Sequence, residues 1–124
     1  MEVKDLKIDD LEIQVRREGN GELRLVWSGS IHSADPGDYL DPYFDLLIDA
    51  AKAESLRIIC DFSRLEYMNS SSIPPLIHLL RECGDGEIHA EFLYDAARKV
   101  QTASFRALDV IARKSSFTSV KGVE

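Results

Sequence analysis

Residues 56–83 read LRIICDFSRLEYMNSSSIPPLIHLLREC, and a change of rhythm inside this stretch decides the fold. Ile58, Ile59, Cys60 and Phe62 form a near-continuous apolar run, the pattern of a strand covered on both faces. A short loop follows the run. From Ile73 the period lengthens: Ile73, Leu76, Ile77 and Leu80 fall at i, i+3, i+4 and i+7, one face of a helix. Asn69, Ser70, Ser71 and Ser72 stand where that helix begins, and their side-chain oxygens suit its orphan backbone N–H groups. Pro74 and Pro75 fit in the first turn, where a missing N–H costs little. Three hydroxyls therefore gather at the positive end of a helix dipole.

The chain on either side extends the same grammar. Upstream, Leu11 to Arg17 alternates as a strand with one wet face, and Gly19-Asn20-Gly21 turns the chain into a return strand, Leu23 to Ile31. Gly29 marks the end of that strand or a bulge in it. After a polar loop, HSADPGDYLDP, Asp41 is the expected cap of a first helix, with Pro42 at its first position. Phe44, Leu47, Ile48 and Ala51 give its apolar stripe, and it ends near Glu54. Downstream, Gly84 is the expected stop of the serine helix, and Asp85-Gly86 turns the chain. Glu87 to Tyr94 alternates as another strand. A last helix spans Lys99 to Arg113 and is expected to bury Val100, Ala103, Ala107, Leu108 and Ile111. Ser116 to Val120 is either a short edge strand or a frayed end.

The order is β-β-α-β-α-β-α, with room for a final strand or helix. It predicts an α/β fold: a small mixed sheet, mostly parallel with its first strand antiparallel, and helices packed on it through right-handed crossovers. Sites in such sheets gather at the carboxyl ends of the strands, where the serine cluster lies.

Composition narrows the function. The 124 residues suit a single domain over 1–124, with 44% hydrophobic and 30% charged residues, as in an ordinary globular chain. A net charge of −7 argues against nucleic acid, whose binding rests on neutralising phosphates. No apolar run approaches the roughly 20 residues of a membrane span, and the charged N-terminus MEVKDLKIDD is unlike a signal peptide, so a cytoplasmic location is expected. Cys60 and Cys83 read as buried free thiols. Charge is unevenly placed. Asp35, Asp38, Asp41, Asp45 and Asp49 crowd one region, Arg98, Lys99, Arg106, Arg113 and Lys114 another, and such patches either are solvated faces or orient a protein partner.

The run IICDFSRLEYMNSSSI resembles the signature of the STAS domain, the family of bacterial anti-sigma factor antagonists. Its usual form is an apolar strand ending in Asp, a short loop with an aromatic or Met, then Asp-Ser-Ser-Gly opening a helix. Asp61 matches the strand Asp, and Asn69-Ser70-Ser71-Ser72 stands for the tetrapeptide. The early hairpin, the strand end Trp27-Ser28-Gly29 and the strand residues Phe92-Leu93-Tyr94 fall in matching order, so the resemblance covers residues 12 to 112. It implies partner switching. A serine kinase that is also an anti-sigma factor binds the unmodified protein, phosphorylation releases it, and a phosphatase restores it. Carried across, the acceptor is Ser71, with Ser70 and Ser72 as alternatives. Asn69, Ser70, Ser71, Ser72, Asp61, His32 and Ser33 form the partner surface. No cofactor or metal is implied. Asn69 in place of Asp and Ser72 in place of Gly are this chain's departures.

Three other readings compete. The serines cap the helix and the domain is a STAS scaffold without a switch. A cluster serine is a nucleophile with His78 or His32 as base, but no Gly-x-Ser-x-Gly elbow or paired acid accompanies it. Asp61 is a receiver-type phosphoacceptor, but Asp9 and Asp10 precede the first strand where a receiver has its metal-binding acids after it. No ligand spacing for a metal links the three histidines and two cysteines.

Overall fold

Hydrogen bonding joins six strands in simple sequence order, β1 (Leu6–Ile8), β2 (Leu11–Glu18), β3 (Glu22–Ile31), β4 (Arg57–Met68), β5 (Ala90–Asp95) and β6 (Thr118–Val123). The computed structural model describes residues 2–124. β1, β2 and β3 are antiparallel neighbours, and β3 to β6 run parallel. The helices α1 (Gly37–Glu54), α2 (Ile73–Asp85) and α3 (Lys99–Ala112) are the three crossovers of the parallel half. Because each right-handed crossover advances in the same direction, all three helices lie on one face of the sheet. The mixed α/β architecture expected from the sequence is the one observed, with β1 added before it and β6 realised as a parallel edge strand.

The core lies between sheet and helices. Trp27, Phe62, Phe92 and Phe105 are fully buried, and Phe62 is their hub, with ring centroids 4.7 Å from Trp27, 5.1 Å from Phe92 and 4.9 Å from Phe105. The opposite face carries no helix. The expectation that β4 is covered on both faces is thus corrected: Cys60 and Phe62 face the helices, while Asp61 and Ser63 are only half-buried.

The helix boundaries move for physical reasons. α1 starts at Gly37, not after Asp41, because the Pro36 carbonyl already accepts from Leu40 N at 2.9 Å and Leu40 is fully buried. Asp41 therefore caps nothing, and Pro42 lies inside the helix, where it removes one i→i−4 bond. α2 runs through Gly84 to Asp85, and the left-handed residue after it is Glu87, φ 56°. Gly84 serves proximity instead: a Cβ there would stand 3.0 Å from that of Ser115. α3 buries Gln101, Phe105, Leu108 and Ala112, and exposes Val100, Ala103 and Ala107, which were expected inside. The large Phe105 ring sets the helix rotation, and a polar residue, Gln101, takes a place in the buried stripe.

β4 is longer than its apolar run. The expected short loop after it is strand, carried on to Met68 by pairing with β3 through two register shifts, Val26/Ser28 and Gly29/Ser30. Each shift inserts one extra residue on β4, which destroys the period of two that would have revealed the strand. Gly29 is the required glycine, with φ 83° and the Asp10 carbonyl oxygen 1.9 Å from where a Cβ would stand.

Candidate functional site

β4 loses one neighbour halfway. Its pairing with β5 ends at Asp61↔Leu93, while its pairing with β3 continues to Met68↔Ile31. The overhang from Ser63 to Met68 needs other donors for its carbonyls, since buried backbone groups are costly when left unpaired. α3 supplies them. The buried Gln101 gives its Nε2 to the Leu65 carbonyl and, at 3.2 Å, to that of Phe62, while its Oε1 accepts from Asp95 N at 3.0 Å. Arg98, held by Asp95 at 3.3 Å, also donates to the Leu65 carbonyl at 2.7 Å.

Asn69 closes the overhang. Its N–H donates to the Ile31 carbonyl at 3.1 Å and its Nδ2 to the Ser33 carbonyl at 2.7 Å, while its Oδ1 accepts the Ser72 hydroxyl at 2.9 Å. Asn is needed here, because an Asp would have no hydrogen to offer Ser33. A single 3₁₀ turn, Ser70–Ser72, then leads into α2, with Pro74 and Pro75 in its first turn as expected.

The three hydroxyls part company. Ser72 is fully buried, and its side chain is spent on Asn69. Ser70 and Ser71 are exposed, and among the described residues neither side chain hydrogen-bonds another group. No serine side chain caps the 3₁₀ turn or α2, so the capping role expected of the cluster is not what it performs. Beside it, His32 stacks on Tyr67 with centroids 5.0 Å apart and planes 20° from parallel, both side chains exposed. Ser33 is half-buried, with its hydroxyl 3.1 Å from that of Tyr39. His32, Ser33 and residues 69–72 thus meet at the carboxyl ends of β3 and β4.

Asp61 does not join them. It lies eight residues before Asn69, roughly 26 Å at strand rise, and its carboxylate accepts from Ser63 N and Oγ at 3.0 and 2.6 Å and faces Arg24 at 3.6 Å. Asp9 and Asp10 sit in the β1–β2 turn, and among the described residues no group of three or more His, Cys, Asp or Glu could hold a metal, so a receiver site is not built. Tyr67 is the residue that the sequence reading missed; its signal was an aromatic just before the serine cluster.

Ser71 also lines a groove of about 450 Å³ whose far wall is the loop and first turn of α1, with Asp35, Asp38 and Asp41. His78 borders the same groove from α2. Cys60 and Cys83 are free and buried, as expected, and burial pushes both thiols up, Cys83 to about 12. Neither is suited to nucleophilic chemistry at neutral pH.

No protein-family model matches the chain, and no curated protein resembles it in sequence. Solved structures do resemble it. The anti-sigma factor antagonist SpoIIAA in its unphosphorylated form superposes with a TM-score of 0.60 at 14% identity, over 87% of this chain and 86% of that one. An anti-sigma factor antagonist from Mycobacterium paratuberculosis gives 0.59 at 18% identity, over 92% and 90%. A chain of the complex between the diguanylate cyclase SiaD and its activator SiaC, from Pseudomonas aeruginosa, gives 0.58 at 15% identity, over 96% and 98%. With six strands in sequential order and three helices on one face, the chain has the SpoIIAA-like fold of the anti-sigma factor antagonists, the STAS architecture that its sequence resembles.

Proposed function

We propose that the protein is a cytoplasmic, non-enzymatic module that binds a partner through the carboxyl end of β3 and β4 and is switched by phosphorylation of the serine cluster. The partner is a serine kinase that doubles as an anti-sigma factor, and a phosphoserine phosphatase reverses the mark. The observation that carries this reading is the pair of exposed hydroxyls, Ser70 and Ser71, without a side-chain hydrogen bond among the described residues, set beside the exposed Tyr67–His32 stack. SpoIIAA, solved in unphosphorylated and phosphorylated forms, supports it by likeness of fold.

Phosphate adds about −1.5 to −2 charges and three strong acceptors. At a helix start it is locally tolerated, whereas a partner seated over it must desolvate a dianion. Partner release then follows with little change in the fold. Ser72 is a poor acceptor because its hydroxyl is buried. A phosphate on Ser71 would border a groove walled by Asp35, Asp38 and Asp41, and like charges repel, which moves the preference from Ser71 to Ser70.

A second reading concerns the output. The match to the SiaD–SiaC complex covers nearly the whole chain, and SiaC activates a diguanylate cyclase, so the same site suits control of a signalling enzyme in place of transcription.

The test is phosphate mapping by fragmentation mass spectrometry on the peptide from Leu65 to Arg81, using protein from its own host. Phosphate on Ser70 is the expected result, and Ser70→Asp should then lose the partner while Ser70→Ala binds constitutively. Phosphate on Ser71 returns the assignment to that residue. An unmodified peptide in every growth condition leaves an unswitched STAS scaffold and removes the proposal.

A further inference from the structure

Among the described residues four large hydrophobic side chains stand exposed, and three lie on helices: Leu46 (56%) on α1, and Val100 (72%) and Val110 (61%) on α3. On α3 they belong to one exposed stripe, Val100, Ala103, Ala107 and Val110, spaced i, i+3, i+7 and i+10. Lys99, Arg106 and Arg113 accompany that stripe at intervals of seven residues, all three exposed, with Arg113 also bonded to Asp109 at 2.8 Å. The exposed side of α1 has the opposite sign. Asp38, Asp45 and Asp49 are exposed there around Pro42, Leu46 and Ala53, and Asp38 and Asp45 repeat the seven-residue interval, about 10 Å along a helix, while the exposed Lys52 at its third position is the one cation of that face among the described residues.

The fold keeps these two faces apart. The helices follow the strand order, α2 packs against both of the others, and α1 and α3 flank it on opposite sides. They cannot satisfy each other within one molecule.

We infer that the exposed face of α3 docks the exposed face of α1 of a second copy, giving a head-to-tail association whose α1 face adjoins the Ser71 groove at Asp38. The charge pattern selects this occupant: an apolar stripe flanked by Lys99 and Arg106 meets an apolar residue flanked by Asp38 and Asp45 at the same seven-residue spacing, with Asp49 beside them, and the third cation of the series, Arg113, is already paired with Asp109. The net charge of −7 opposes association, but screening over about 8 Å at physiological salt leaves the facing patches to decide. Because the two faces differ, the contact is heterologous, and each added copy exposes a fresh α1 or α3 face.

Sedimentation equilibrium of the full chain up to millimolar concentration tests this. The weight-average mass should climb past twice the 14.0 kDa of one chain without a plateau at the dimer. The α1-face variant Asp45→Asn/Leu46→Asn/Asp49→Asn and the α3-face variant Arg106→Glu/Val110→Glu should each stay monomeric. Mixed, they should form a one-to-one pair and stop there, since each retains the face that the other lacks. If either triple or double variant fails to fold by circular dichroism, Leu46→Asn and Val110→Asn replace them. A parent that stays monomeric, a parent that stops at a dimer, or variants that do not pair when mixed would each overturn the inference.

Discussion

The two halves of β4 are held by different physics. From Ile58 to Asp61 the strand has partners on both sides, and the helix-facing side chains Ile58, Cys60 and Phe62 bury completely. From Ser63 to Met68 it has a strand on one side only, carries two bulges, and exposes Tyr67. The first half is fixed by apolar packing and two strand neighbours, and the second by pairing with β3, the buried Leu65 and side-chain hydrogen bonds from Gln101, Arg98 and Asn69. A binding site gains from the second arrangement. It holds backbone in place while leaving the surface side chains with no structural duty.

The largest expected effect belongs to the first half. Phe62→Ala removes the hub of the aromatic core and should cost about 3–5 kcal/mol in chemical denaturation. A cost below 1 kcal/mol would show that the contrast between the halves is false. In the second half, Gln101→Leu keeps the volume but strands the Phe62 carbonyl and the Asp95 N–H and leaves the Leu65 carbonyl to Arg98 alone, a loss on the order of 3 kcal/mol. Hydrogen exchange should then quicken at residues 65–72 more than at 57–61. Uniform exchange across β4 would mean that the overhang does not rely on α3.

Asn69→Asp restores the residue usual in the STAS motif yet sets a carboxylate against the Ser33 carbonyl, and melting should report a loss of about 1–3 kcal/mol. Stability equal to the parent would show that the amide donor is dispensable. The thiols of Cys60 and Cys83 probe the first half through pH. Burial holds both protonated in the folded state, whereas the unfolded chain releases those protons near the ordinary value of 9.0. Above that pH the folded state binds more protons, so stability should fall as pH rises from 9 towards about 12, and replacing both by Ala should flatten that slope. An unchanged slope would assign the alkaline loss elsewhere. The smallest effect is Ser70→Asp, whose melting should stay within about 0.5 kcal/mol of the parent, because the residue is exposed and its hydroxyl bonds nothing among the described residues.

Much of this was written in local pattern. Ile58, Cys60 and Phe62 announced the central strand, Leu76 and Leu80 the following helix, and Gly19-Asn20-Gly21 the hairpin, because period and turn chemistry act over a few residues. The serine cluster was visible for the same reason. Its individual roles were not. Whether a hydroxyl is buried on Asn69 or left in solvent depends on where β3 ends, a fact some forty residues upstream.

By itself, then, the sequence determined the order of elements from β2 to α3, the crossover topology and the position of the serines at the strand ends, since hydrophobic period and chain connectivity are local. Only the tertiary structure decided that β4 overruns its neighbour, that Gln101 replaces a strand partner, and that Asp61 stands apart from the site. Those outcomes depend on register across strands and on donors arriving from distant helices, which no single segment encodes.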